Sequence, residues 1–188
     1  MLTLETLVEN IKENIEPIDT MLVLGCGEGR YEYELGAKQT FGIDICDEKL
    51  DKCIQKGMMV TKQDVRNLSN FIAKSFHTIT MFDLLEHFTK ETGLIILKDI
   101  ERIASGQIIL FIPVQTEFDK WGASPEEQER LIVEGKDAGY HLSMWTPQEM
   151  ETLGYKVIYN PTFHGDFGAV LCIKSLINHN VTRANSRA

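Results

Sequence analysis

The stretch Met21-Leu22-Val23-Leu24-Gly25-Cys26-Gly27-Glu28-Gly29, taken with Phe41-Gly42-Ile43-Asp44 downstream, decides how the chain folds. Four apolar residues running into glycines at alternate positions read as a buried parallel strand ending in a tight turn, where backbone free of side chains can approach a ligand closely. A helix is expected over Glu28 to Leu35, and a second apolar strand, Phe41 to Ile43, closes on Asp44. That acid stands about 20 residues after the first glycine, the spacing at which a carboxylate meets ribose hydroxyls in a nucleotide-binding βαβ unit. The glycines read G-x-G-x-G, with Arg30 where a dinucleotide fingerprint has its third glycine, and no Gly-Lys-Ser/Thr of a P-loop follows. A glycine turn between strand and helix with no ligand is the plainer alternative.

These residues resemble the class I S-adenosylmethionine-dependent methyltransferases of the small-molecule type. The resemblance implies that Gly25, Cys26, Gly27 and Gly29 form the loop beneath the methionyl part of S-adenosyl-L-methionine, and that Asp44, with Ile45 beside it, holds the ribose. The chain departs from the family at Val23, where an acid is frequent, which removes one polar contact near the cofactor's amino-acid end. A third strand is predicted over Met58 to Thr61. After it, Asp64 and Val65 match the positions that meet the adenine amino group and a ring nitrogen; the alternative is that Asp64 caps the turn from Val65 to Leu68. The fourth strand, Phe76 to Phe82, brings Met81 and Phe82 to the cofactor and runs into Asp83-Leu84-Leu85-Glu86-His87-Phe88. Ligands of open α/β sheets sit at the carboxyl ends of strands near the point where strand order reverses, so this segment should face the reacting end of the cofactor. The Leu85-Glu86-His87 triplet resembles the small-molecule form of the family, whereas the tetrad of amino-group DNA methyltransferases and the Pro-Cys nucleophile of cytosine-carbon enzymes are missing.

Composition agrees. The 188 residues suffice for one α/β domain, and a net charge of −9 without a lysine or arginine stripe argues against nucleic acid as a partner. No leader-like or membrane-spanning apolar run is visible, so a cytoplasmic monomer or homodimer with a small-molecule acceptor and no membrane partner is expected. Cys26, Cys46, Cys53 and Cys172 lack metal-type spacing and read as structural thiols, Cys26 filling space in the glycine loop.

The remaining chain completes a Rossmann-like, doubly wound α/β fold: a seven-stranded sheet, mostly parallel, with helices on both faces. An amphipathic helix over residues 4 to 15 precedes the first strand and stops at Pro17. Asp47 is expected to cap a helix ending at Gly57, and Thr89 one that turns Leu94, Ile95, Ile96, Ile100 and Ile103 inward. Gln107 to Ile112 reads as the fifth strand. Residues 114–145 contain a Ser124-Pro125-Glu126-Glu127 capping box and a helix to about Glu134; this excursion is read as a substrate lid, against the alternative of a packed surface excursion. Thr146-Pro147-Gln148-Glu149 repeats the capping logic. Lys156 to Tyr159 and Ala169 to Ile173 are the last strands, which the resemblance makes an antiparallel edge hairpin. Residues 1–177 thus form one domain, and 178–188 a polar tail.

The resemblance implies methyl transfer to a small or medium-sized acceptor, oxygen preferred over nitrogen, in which the protein mainly positions the reactants and excludes water. His87 and His141 are the candidate catalytic groups, with ordinary structural roles as the alternative for each. No metal is expected, because Asp83, Glu86 and His87 do not converge if they continue as a helical turn. The rival readings are an oxidoreductase using NAD or a nucleotide sugar, and a catalytically silent cofactor-binding partner.

Overall fold

In the strand Thr20–Leu24 (β1), Leu22 and Leu24 face one side while Met21 and Val23 face the other, so a single strand feeds both layers of the core. The computed structural model describes residues 4–30, 32–114, 125–134, 136, 141–164 and 167–177. Beside β1 lie Gln39–Asp44 (β2), Met59–Lys62 (β3), Phe76–Phe82 (β4), Ala104–Val114 (β5), Lys156–His164 (β6) and Phe167–Ser175 (β7). They form one seven-stranded sheet in the order β3-β2-β1-β4-β5-β7-β6, parallel from β3 to β5 and antiparallel from β5 to β6. Strand order reverses between β1 and β4, which are direct neighbours in register Leu22 to Ile79 and Leu24 to Met81.

Helices cover both faces. Leu4–Lys12 (α1) and Asp47–Gln55 (α2) bury Leu7, Val8, Ile11, Leu50 and Cys53 against Met21, Val23, Ile109 and Phe111. On the opposite face, Lys90–Ile103 (α3) and Pro147–Thr152 (α5) bury Ile96, Leu97, Ile100, Ile103 and Met150 against Leu22, Leu24, Ile79, Met81, Ile108 and Leu110. The helix Pro125–Val133 (α4) belongs to the expected lid stretch. A polar pin closes the lower edge: buried Gln107 donates to the Glu16 carbonyl (2.8 Å) and to Thr78 Oγ1 (3.1 Å), and accepts from the Glu16 N–H (2.9 Å). No helix among the described residues is long and apolar enough to cross a membrane.

Several sequence expectations need correction. The helix over Glu28 to Leu35 shrinks to one 3-10 turn, Glu32–Leu35, because Gly29 at φ +64° breaks the helical run. α1 ends at Lys12. Cys46, not Asp47, occupies the N-cap of α2, leaving Asp47 in the first turn, where its charge opposes the helix dipole and pairs with Lys62 at 2.6 Å. Thr89 does cap α3, but Leu94 and Ile95 face solvent; Gly93, Ile96, Leu97 and Ile100 make the buried stripe. β5 is longer than expected, since α3 passes into it at Ala104 without a loop, and β6 and β7 extend toward their turn. The tail lies outside the described residues.

Ile100 is fully buried between α3 and the sheet. Its truncation, Ile100→Ala, is expected to lower unfolding free energy by about 2–5 kcal/mol, read from the midpoint shift in urea.

Candidate functional site

The loop after β1 holds three glycines in the left-handed region, Gly25 at φ +65°, Gly27 at +53° and Gly29 at +64°. At Gly25 a Cβ would lie 2.8 Å from Leu84 Cδ2, so the loop packs closely beneath the segment after β4, and any side chain there would be strained by the positive φ and would push Leu84 aside. Asp44 ends β2 and is 9% exposed. Its Oδ2 accepts the Gly27 N–H at 2.8 Å and its Oδ1 accepts the Cys46 N–H at 2.9 Å, so one carboxylate ties the glycine loop to the start of α2. Each oxygen keeps a further lone pair for a ligand hydroxyl.

A cleft opens at this point, enclosing about 640 Å³ of empty space with the solvent at its mouth included. It lies at the carboxyl ends of β1 and β4, where the strand order reverses. Gly25 and Gly27 form one wall, Asp44, Ile45 and Lys49 the next, and Asp64 with Val65 the third. Asp83, Leu84, His87 and Phe88 close the far side, and Ile132 of α4 reaches over it. Asp64 is gripped by Arg66, whose Nη2 lies 2.6 Å from Oδ2 and whose Nε lies 2.9 Å from the same oxygen. Arg66 Nη1 also bonds Glu129 Oε2 of α4 at 2.5 Å, so the guanidinium clasps the covering helix to the wall of the cleft. The Asp64 hydrogen bond, joined by that to Glu129, raises the Arg66 pKa above its usual value.

Beyond the cleft, the chain after β4 turns sharply through Asp83, at φ +47°, into the 3-10 turn Leu85–His87. The Glu86 carbonyl accepts the N–H groups of Leu142 (2.7 Å) and Ser143 (3.0 Å), stapling the segment 141–145 onto this turn. Trp145 anchors the staple: it is buried, donates from Nε1 to Ser143 Oγ at 2.9 Å, and packs where a Cβ on Gly93 would come within 2.6 Å of its ring. As a result the His87 and His141 rings meet edge to face, centroids 4.9 Å apart. The Glu86 side chain lies beneath them, 2% exposed, with Oε1 at 3.9 Å from Nε2 of each histidine. Among the described residues neither of its carboxylate oxygens has a hydrogen-bond partner. Burial, reinforced by the neighbouring Asp83 carboxylate, pushes its pKa well above the usual carboxylate range.

Of the residues singled out in the sequence, the fold brings Gly25, Gly27, Asp44, Ile45, Asp64, Val65 and His87 to the cleft. His141 joins through its contact with His87. Cys26 turns its side chain into the core against Gly42, and its N–H and carbonyl bond Ile43 and Gly29. Gly29 sits over Met58 and Cys53. Met81 and Phe82 are core residues, Phe82 edge to face with Phe111. Sequence reading passed over Lys49 and Ile132, which line the cleft; Leu84 and Phe88, which also line it, and Glu86 beneath the histidines lie in the segment expected to face the reacting end.

The strand order and the switch-point cleft define the class I S-adenosylmethionine-dependent methyltransferase fold. Solved structures agree. A Pyrococcus horikoshii protein superposes with a TM-score of 0.66 at 19% identity, over 92% of this chain and 88% of its own. A Methanosarcina mazei S-adenosylmethionine-dependent methyltransferase gives 0.63 at 18% identity, over 90% and 98%. The Synechocystis magnesium protoporphyrin IX methyltransferase, solved with S-adenosylhomocysteine (SAH) bound, gives 0.61 at 15% identity, over 92% and 81%. No curated protein matches the chain in sequence. Residues 6–124 match the family described as methionine biosynthesis protein MetW, and the chain belongs to that family.

Asp44→Asn would set an amide NH₂ against one of the two backbone N–H groups that Asp44 now accepts. The expected result is a stability loss of about 1–3 kcal/mol in urea unfolding. Asp64 Oδ1 also accepts the Arg66 N–H at 2.8 Å, so the acid caps the turn after β3 as well as pairing with the guanidinium. Asp64→Asn, which keeps an oxygen for that N–H and loses only the charge of the partly exposed pair, should cost less than about 1 kcal/mol.

Proposed function

We propose that this chain is a cytoplasmic S-adenosylmethionine-dependent methyltransferase acting on a small or medium-sized acceptor, oxygen preferred over nitrogen. One observation carries the reading: Asp44, fixed by two backbone amides at the switch point, faces a cleft floored by side-chain-free glycines and flanked by a second acid, Asp64. Two carboxylates and an open backbone suit an adenosine, whose ribose hydroxyls and amino group are donors. When bound, S-adenosylmethionine supplies a methyl group already activated on a sulfonium leaving group.

The residues then divide the work. The free lone pairs of Asp44 accept ribose hydroxyls, and Asp64 accepts the adenine amino group beside Val65, with Arg66 holding the carboxylate in place. Gly25 and Gly27 let the ligand lie against the backbone. Residues 114–145 serve as the lid: Ile132 of α4 and the Glu129–Arg66 clasp cover the cleft and help exclude water. His87, on the far wall, and His141 against it act on the acceptor's nucleophilic atom. Gly29 supports the loop from behind, and Cys26, Met81 and Phe82 hold the loop and the end of β4 in position from the core.

Calorimetric titration tests the reading. S-adenosylmethionine and SAH are expected to bind, NAD is not, and Asp44→Ala should weaken SAH binding by tens of fold, in line with about 1.5–3 kcal/mol for hydrogen bonds to a charged group. Binding of NAD alone would overturn the assignment. Turnover with an acceptor, followed as SAH release, separates an enzyme from a silent cofactor-binding partner.

A further inference from the structure

Glu86, His87 and His141 offer one carboxylate oxygen and two imidazole nitrogens that all lie within 4.8 Å of one another. They come from two segments 54 positions apart, His87 and His141, and are held together by the hydrogen bonds from Leu142 and Ser143 to the Glu86 carbonyl and by buried Trp145. The arrangement rests on backbone and core, not on mobile surface side chains. A carboxylate that is 2% exposed and makes no hydrogen bond through either oxygen among the described residues needs a counterpart. The Nε2 atoms of His87 and His141, each 3.9 Å from Glu86 Oε1, are too distant for hydrogen bonding yet close to the spacing of ligands around one ion. An ion held at about 2.0–2.2 Å by imidazole and carboxylate wants its ligand atoms roughly 3.3 Å apart, a contraction of about half an ångström for the two carboxylate–imidazole pairs at 3.9 Å and of up to about 1.5 Å across a set that spans 4.8 Å.

From this juxtaposition we infer that Glu86, His87 and His141 form a binding site for a divalent first-row transition cation such as Zn²⁺ or Mn²⁺. Two imidazoles with one carboxylate suit borderline Zn²⁺ best; Mn²⁺ is harder and the weaker fit, and Mg²⁺ and Ca²⁺, which favour all-oxygen donor sets, fit least. Asp83 adds negative charge beside Glu86, which a cation would offset. Three protein ligands leave coordination positions open, and because His87 also lines the cleft the site adjoins the place where an acceptor would enter. The sequence expectation of no metal assumed a continuous helical turn after β4; the turn at Asp83 and the stapled segment carrying His141 remove that assumption. The ion's role is to hold an acceptor through an oxygen atom, so that His87 and His141 act on the acceptor through the ion, a statement that rests on the methyltransferase reading; the ion's binding does not.

The test uses the full chain stripped with chelator and titrated calorimetrically with ZnCl₂ and MnCl₂, with MgCl₂ as the hard-cation control. One saturable equivalent of Zn²⁺ or Mn²⁺ is expected, weakened at least tenfold by Glu86→Gln and by His141→Gln in variants whose near-ultraviolet circular dichroism matches the parent. Because either variant can fail to fold, the parent chain is also followed by long-range ¹H–¹⁵N NMR of its five histidine rings. Zn²⁺ should shift His87 and His141 first. Absence of saturable Zn²⁺ and Mn²⁺ binding, as for a site holding only water, overturns the proposal. So does binding that leaves these two rings unmoved or that survives both substitutions. SAH binding by the parent is measured separately: the cation without SAH overturns the methyltransferase reading alone, and SAH without the cation overturns the site alone.

Discussion

The Asp44 carboxylate, shared between the Gly27 and Cys46 amides, is the constraint on which the rest of the site depends. Three glycines at positive φ would leave a loop with many conformations to lose on folding, and a buried acid alone would be costly. Each solves the other's problem: the loop supplies donors that make the burial of Asp44 tolerable, and the acid fixes the loop against the start of α2. The wall of the cleft is therefore built before any ligand arrives. Both partners hang from strands whose side chains alternate between the two halves of the core, so core packing sets their separation.

A second backbone contact does comparable work at the other end. The Glu86 carbonyl holds the segment 141–145 against the turn after β4, and Trp145 secures it in the space left by Gly93. The helix α4 is joined to the cleft wall through the Arg66 guanidinium, which bridges Asp64 and Glu129. The covering helix thus reports on the same acid that the functional reading assigns to adenine. Exposed ion pairs of this kind contribute little to stability, which suits an element proposed to cover the cleft.

Much of the fold was legible because strands buried on both faces read as unbroken apolar runs and the helices carry a one-sided apolar stripe. β4 was read with its observed boundaries, and β1 through Gly25 announced a switch-point loop. The misreadings share one cause. Local patterns do not record which face a neighbour will cover: Leu94 and Ile95 look like core but point to solvent, and the helix after Gly29 gives way to a single 3-10 turn. In the site, Asp44 and Asp64 could be read because each follows a strand at a characteristic spacing. The meeting of Glu86 and His87 with His141 could not, because it depends on hydrogen bonds between backbone groups distant in sequence, which leave no trace in residue type. Ile132 reaches the cleft through tertiary placement of α4 and was equally hidden.

A crystal structure of the chain grown with SAH tests the central claim most directly. The account predicts the adenosine lying between the Gly25–Gly27 backbone and Asp64, with both ribose hydroxyls within hydrogen-bond distance of the Asp44 carboxylate while that carboxylate keeps its bonds to the Gly27 and Cys46 amides. SAH bound elsewhere, or seated in the cleft with Asp44 turned away from the ribose, would contradict it.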